Sequence, residues 1–128
     1  MKPITFCVLK NIFAVCRFNG DSPIPHWFQN NGFYTVTKTD DELSIVCEQQ
    51  AVPEGVKCEK NWRILKIDGV LDFSLVGILA SVSTILANEK ISIFVISTYD
   101  TDYILVKEND FESAVAALKS AGHIVNIE

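Results

Sequence analysis

Short apolar runs separated by polar turns make up the first half of the chain. Residues 4–10 and 12–18 are rich in β-branched and aromatic side chains, which predicts a tight hairpin or one interrupted strand. Residues 33–37 and 43–48 flank a polar stretch and predict a second hairpin. This half of the sequence therefore favours β-structure.

Two segments of the first half depart from this strand pattern. Residues 25–31 predict a helix of about two turns, because Pro25 suits a first turn and Gly32 follows the end. Residues 49–61 contain a proline, a glycine and several charges, which is typical of a linker or an eroded helix. We therefore expect a unit boundary near residue 60.

The second half carries the strongest helix pattern of the sequence. Residues 62–71 predict a strand with a bulge at Gly69, and residues 72–74 a turn. Residues 75–89 then predict an amphipathic helix, since its apolar positions recur at helical spacing. These positions are Ile78, Leu79, Val82, Ile85 and Leu86.

The last third of the chain completes an alternating order of strands and helices. Residues 91–97 and 103–107 predict a hairpin, and a helix capped by Asn109 or Asp110 should end before Gly122. Residues 124–127 close the chain as a strand. The resulting order, β-α-β-β-α-β, is that of the ferredoxin-like unit, whose two helices cover one face of an antiparallel sheet.

The first half repeats this pattern weakly. Residues 33–48 align without a gap on residues 93–108, an offset of 93 − 33 = 60 that pairs Asp40 with Asp100, Val46 with Val106 and Glu48 with Glu108. We therefore predict an α+β protein of two tandem ferredoxin-like units with antiparallel sheets and helices on one face. Residues 1–60 would form a degenerate first unit, and residues 61–128 a second.

Composition and charge exclude several classes of partner. The net charge is −5 and the eleven Lys and Arg are scattered, which argues against nucleic acid. No apolar run is long enough to span a membrane and no signal peptide is evident at the start, so we expect a cytoplasmic protein. The four cysteines form no CxxC pair, which favours reduced, buried thiols over a metal site. We expect no metal and no cofactor.

Two motifs of the second half resemble a known family. Residues 77–82 with 86–93, GILASV and LANEKISI, resemble the ACT-domain signature, in which a glycine opens the first helix and an apolar strand follows it. Adding residues 96–106, ISTYDTDYILV, makes the chain resemble the short tandem ACT proteins related to the CASTOR arginine sensors. The likeness covers most of the chain and implies ACT units paired edge to edge in a homodimer.

The resemblance also implies a ligand site for a free amino acid or similar small zwitterion. Gly77, Ile78, Tyr99 and Asp102 correspond to one wall of this pocket, and Ser92 with Ile93 to a strand start supplied by the facing unit. A helix N-terminus suits the ligand carboxylate, and Asp102 suits its ammonium group.

The identity of the amino acid stays open. The family's arginine sensors are expected to carry an acidic residue just before the helix glycine, where this sequence has Leu75.

Structural roles compete with these binding roles. Gly77 would also suit close helix–strand packing, and Asp100 and Asp102 would also suit turn capping. An Asp-x-Asp pair could suggest Mg²⁺, but no third carboxylate accompanies it in sequence. His26 has no nucleophile or acid placed to form a triad with it, so the sequence favours a regulatory binding protein over an enzyme. The alternative function is a protein–protein interaction module with a vestigial ligand pocket.

Overall fold

A computed structural model of the chain describes residues 3–27, 32–68 and 77–127. Eight strands, two α-helices and two 3₁₀ turns follow one another along these residues. In chain order they are β1 (Thr5–Val8), β2 (Phe13–Asn19), β3 (Thr35–Lys38), β4 (Glu42–Glu48), a 3₁₀ turn (Gln49–Ala51), β5 (Cys58–Ile67), α1 (Ile78–Asn88), β6 (Ile93–Ser97), β7 (Asp102–Lys107), a 3₁₀ turn (Glu108–Asp110), α2 (Phe111–Ser120) and β8 (Ile124–Ile127).

The chain divides into two compact units, one of which is discontinuous in sequence. Met1–Lys10 and Arg63–Glu128 form one unit, here called the split unit, and Asn11–Trp62 form the other, here called the inserted unit. This division differs from the one expected from the sequence, which placed the whole of residues 1–60 in the first unit. The reason is the pairing of β1 described below.

The inserted unit is a small antiparallel sheet with the strand order β3-β4-β2-β5. Counted along the unit, this order is second, third, first, fourth, which is that of a ferredoxin-like unit. No α-helix is present in its described part. The predicted helix over 25–31 falls partly on residues 28–31, outside the described residues, and His26 and Trp27 lie in a turn. The core of this unit contains Ala14, Cys16, Leu43, Ile45 and Cys47.

The split unit carries both helices and has the strand order β6-β7-β5-β1-β8. Val82 and Leu86 of α1 and Ala114, Val115 and Leu118 of α2 share one core cluster with the strands, so both helices cover the same face, as predicted. The fold class is therefore confirmed as α+β and ferredoxin-like. One pair, β1 with β8, is parallel, which departs from the antiparallel sheet expected.

Strand β1 belongs to the split unit because it pairs on both of its edges there. It runs antiparallel to β5 through Phe6↔Ile67 and parallel to β8 through Phe6↔Val125. Phe6 and Val8 are buried in the core under the two helices. No pairing of β1 with β2 is present among the described residues, so the tight hairpin, one of the two predicted alternatives, does not form. Both strands instead run antiparallel to β5, which agrees with the other alternative, one interrupted strand.

The internal repeat is present in the structure, but its offset is 59 rather than 60. Lys38 faces Leu43 across the first hairpin and Ser97 faces Asp102 across the second, so both registers shift by 97 − 38 = 102 − 43 = 59. The 3₁₀ turns that follow, Gln49–Ala51 and Glu108–Asp110, keep this offset. The expected pairing of Val46 with Val106 is therefore wrong by one residue, and a one-residue slip moves a side chain to the opposite sheet face.

Other elements follow the predictions closely in the second half. Helices α1 and α2, the β6–β7 hairpin and β8 are confirmed. Strand β5 begins at Cys58, four residues before the predicted start at Trp62. Gly69 and residues 72–74 lie outside the described residues. No helix in the described part of the chain is long and apolar enough to cross a membrane.

Hydrogen bonds join Ile4, just before β1, to His123 and Ile124 at the start of β8. The backbone N–H of Ile4 donates to His123 Nδ1 at 3.0 Å, and the N–H of Ile124 donates to the carbonyl of Ile4 at 3.0 Å. The His123 ring is buried and meets the Phe6 ring edge-on, with centroids 6.0 Å apart. A buried amide thus has its acceptor on a side chain 119 residues away.

Replacing His123 by Leu should lower the free energy of unfolding by about 1–3 kcal/mol, because the buried Ile4 amide loses its acceptor. Urea denaturation followed by circular dichroism measures the change. His26→Leu is the matched control, since His26 is exposed, and it should leave stability unchanged. Equal stability of the two variants would show that the Ile4–His123 bond contributes nothing.

Candidate functional site

Helix α1 begins at a glycine in the left-handed conformation. Gly77 has φ 85° and ψ 0°, and its carbonyl accepts the first helical hydrogen bond from the N–H of Ser81 at 2.9 Å. Among the described residues, no side chain caps the helix start, and the first turn of the helix contains no acidic residue. The N–H groups of the first turn, starting with that of Ile78, therefore lack partners within the helix and carry the positive end of its dipole.

The role of Gly77 is conformational rather than one of packing. A Cβ built on Gly77 would have no described atom within 4 Å, so close helix–strand packing does not account for the glycine. Its positive φ does account for it, since side chains other than glycine rarely adopt that region. Leu75 stands where the arginine sensors are expected to carry an acidic residue, and it lies outside the described residues.

The tip of the β6–β7 hairpin is held by threonines. The N–H of Thr98 donates to the Thr101 carbonyl at 2.9 Å, and Thr98 Oγ1 accepts from the Thr101 N–H at 3.3 Å. Thr101 is buried, and its hydroxyl donates to the Ile67 carbonyl at 2.8 Å. The tip is thereby attached to the C-terminal end of β5.

Asp100 and Asp102 do not take the capping role that competed with ligand binding. The Thr98 hydroxyl makes the side-chain hydrogen bonds of the turn, to the backbone of Thr101. Neither aspartate side chain has a hydrogen-bond or ion-pair partner among the described residues. Asp102 is half-buried at the start of β7, whereas Asp100 is exposed. The Asp102 carboxylate is thus the better placed of the two to receive a cation.

The start of α1 and the hairpin tip lie at the same end of the split unit. The chain reverses between α1 and β6, and the reversal is closed by a bond from the Ile91 N–H to the Leu86 carbonyl. The eleven residues of α1 and the five of β6 both span roughly 16 Å, so the helix start lies level with the end of β6. Gly77 and Ile78 therefore share this end with Tyr99 and Asp102.

Ser92 and Ile93 lie at the opposite end of the same unit, where β6 begins. One copy of the unit therefore cannot bring them to the Gly77 end. Tyr99 is 82% exposed at the hairpin tip. The six predicted site residues thus form two groups, at opposite ends of the split unit.

A separate surface groove of about 450 Å³ runs between the two helices. Ile85 and Asn88 of α1 and Ser113 and Ala117 of α2 are among its lining residues, and no predicted site residue lines it. In the described part of the chain, no three His, Cys, Asp or Glu side chains are grouped so that they could hold a metal ion. The Asp100–Asp102 pair accordingly has no third ligand there.

Two protein-family models match the sequence of this chain. The ACT domain model matches residues 57–120, and the chain belongs to the ACT domain family. A second family model, describing an N-terminal domain, matches residues 11–55, close to the limits of the inserted unit.

The relatives agree with this class. CASTOR3P of Homo sapiens is 30% identical over 101 residues, covering 69% of this chain and 62% of that protein, so the match spans less than two thirds of the relative. Protein Atu0741 from Agrobacterium tumefaciens is 37% identical with a TM-score of 0.94, covering 100% of this chain and 96% of that one. The regulatory subunit of aspartate kinase from Thermus thermophilus shares the fold at 15% identity, TM-score 0.65, with 94% and 99% of the two chains covered.

Replacing Gly77 by Ala should lower the free energy of unfolding by about 1–2 kcal/mol, because an L side chain is strained at this φ. Gly77→Asn is the matched variant and should cost less, since asparagine tolerates the left-handed region better. Denaturant titration of both variants measures the difference. An alanine variant as stable as the parent chain would contradict the conformational role.

Proposed function

We propose that this chain is a regulatory module, not an enzyme, that binds a free amino acid or similar small zwitterion between two copies of itself. One observation carries the proposal: a helix start and an Asp102 carboxylate that both lack side-chain partners among the described residues lie at the same end of the split unit. The first attracts a carboxylate and the second an ammonium group. An α-amino acid presents both.

The regulatory role is supported by the class of the relatives. The chain belongs to the ACT domain family, and a regulatory subunit of aspartate kinase shares its fold. The human relative carries the CASTOR name, in agreement with the motifs of residues 77–106.

The positions of the two groups of site residues support a homodimer. Strand β6 pairs only with β7 among the described residues, and its open edge is apolar, so it suits pairing with a second copy. Antiparallel pairing of two β6 strands about a twofold axis would place the partner's Ser92 and Ile93 beside Ser97 of this chain. The two groups of site residues would then meet across the interface.

The backbone register identifies which groups would form this interface. The bond from Thr98 to Thr101 marks these residues as a hydrogen-bonded pair, so Ser97 and Asp102 form the next, non-hydrogen-bonded pair. The N–H groups of Ile93, Val95 and Ser97 therefore point away from β7. They are the donors available to a second copy.

Replacing Asp102 by Asn should weaken amino-acid binding about tenfold to a hundredfold, because a charge-assisted bond to the ligand ammonium is lost. Isothermal titration calorimetry against the twenty amino acids identifies the ligand first, and the variant is then titrated with it. Asp100→Asn is the matched control and should bind normally. Absence of binding by the parent chain to all twenty at millimolar concentration would reject the function and favour the interaction module.

Replacing Ser97 by Pro should weaken the dimer, because it removes an outward N–H from the β6 edge while leaving the hairpin bonds intact. Sedimentation equilibrium measures the dissociation constant, which we expect to rise at least tenfold. Val36→Pro is the control on β3 of the inserted unit, where the valine is exposed, and should leave association unchanged. A dimer unaffected by Ser97→Pro would place the interface elsewhere.

A further inference from the structure

Three of the four cysteines meet on one face of the inserted unit. Cys16 of β2 lies directly opposite Cys58 of β5, and Cys47 of β4 lies opposite Ala14, two residues from Cys16. All three contribute to the same apolar cluster. The fourth, Cys7, lies on β1 in the split unit.

The strand register singles out one pair for a covalent bond. The Arg17 N–H donates to the Lys57 carbonyl at 3.0 Å, so Cys16 and Cys58 occupy the next, non-hydrogen-bonded position of the ladder. Cα atoms at such positions are about 4.5 Å apart, within the roughly 4.4–6.8 Å that a disulfide spans. Cys47 is diagonal to Cys16, and diagonal neighbours are about 7–8 Å apart. Only the first pair can be linked without moving the backbone.

Burial and hydrogen bonding give the thiols different reactivity. The hydrogen bond with Cys47, followed by burial, raises the pKa of the Cys16 thiol, and the same bond from Cys16 lowers the pKa of Cys47. Cys16 is therefore held protonated in the core. Cys58 is only half-buried, between the exposed residues Lys57 and Glu59, and is the most accessible of the three clustered thiols.

We propose that Cys16 and Cys58 form a reversible disulfide when the protein meets a peroxide, covalently joining β2 to β5 within the inserted unit. The Cys58 thiolate attacks a peroxide oxygen, the O–O bond breaks, and hydroxide leaves as Cys58 becomes a sulfenic acid. The Cys16 sulfur then attacks the Cys58 sulfur. The S–OH bond breaks, and the hydroxyl leaves as water with the Cys16 proton. Two electrons pass from the two thiols to the peroxide.

The bond would stabilise the inserted unit. It closes a loop over residues 16–58, which includes the β3–β4 hairpin, and so restricts the unfolded chain. A small dithiol reverses the bond by exchange. The residues of this switch lie in the inserted unit and the predicted ligand residues lie in the split unit, so the proposal does not rest on amino-acid binding.

In the test, the reduced full chain is treated with hydrogen peroxide and then unfolded in denaturant, where an alkylating agent blocks the remaining thiols. Its peptides are mapped by mass spectrometry without reduction. We expect Cys7 and Cys47 to be alkylated and the peptides of Cys16 and Cys58 to be joined. In a parallel sample, dithiothreitol added before the alkylating agent should restore all four thiols. A Cys16–Cys47 link, a link between chains, or no link at all would each overturn the proposal.

Variants and thermal unfolding separate this bond from general oxidation. Cys7→Ser should still form the link, and Cys58→Ser should not. Peroxide should raise the unfolding midpoint of the parent chain and of Cys7→Ser, and leave that of Cys58→Ser unchanged. An equal rise in Cys58→Ser would contradict the assignment. Because the peptide map is made on the parent chain, the result does not depend on how any variant folds.

Discussion

The position of β1 between β5 and β8 is the constraint on which the split unit depends. Without β1, the backbone of β8 has no partner strand among the described residues, and the core under the helices loses Phe6 and Val8. The contact joins residues 119 positions apart, and the entropy of closing so long a loop must be offset by burial and hydrogen bonds. The hydrogen bond from the Ile4 amide to His123 and the pairing of residues 5–8 with β8 supply these hydrogen bonds, and the buried Phe6 and Val8 supply the burial. Residues 63–127 alone therefore do not make the complete unit.

Local patterns predicted what is local in this fold. The apolar spacing of α1, the turn before β7 and the glycine after α2 each depend on neighbours within a few residues, and each was predicted near its observed position. The partner of β1 was not predictable in this way, because β1 has the same apolar pattern whichever strand it joins. The start of β5 was missed because residues 58–61 are mostly polar. Asn61 has φ 69°, beside the register shift in the β2–β5 pairing.

The residues of the candidate site were predicted from the sequence, and the structure shows on which elements of the split unit they lie. Gly77 and Asp102 were singled out from sequence, and topology brings their elements to one end of the unit. The separation of Ser92 and Ile93 at the other end could not be predicted from spacing alone, because it depends on the chain reversal between α1 and β6 and on the matched lengths of these two elements. That separation is why we propose two copies, since in one chain the two groups of predicted site residues lie at different places. A twofold pairing of β6 edges would unite them.

The two units share the order of four strands, to which the split unit adds β1, and they differ in the side chains at matching strand positions. At the offset of 59, Cys47 of the inserted unit stands where the split unit has Val106, which packs beneath the two helices. A thiol can replace valine simply as a small apolar group. That role alone gives no reason for Cys16 and Cys58 to face each other at the one kind of ladder position that suits a cross-strand disulfide. The register, rather than the burial of the thiols, is what distinguishes a redox pair from three core residues.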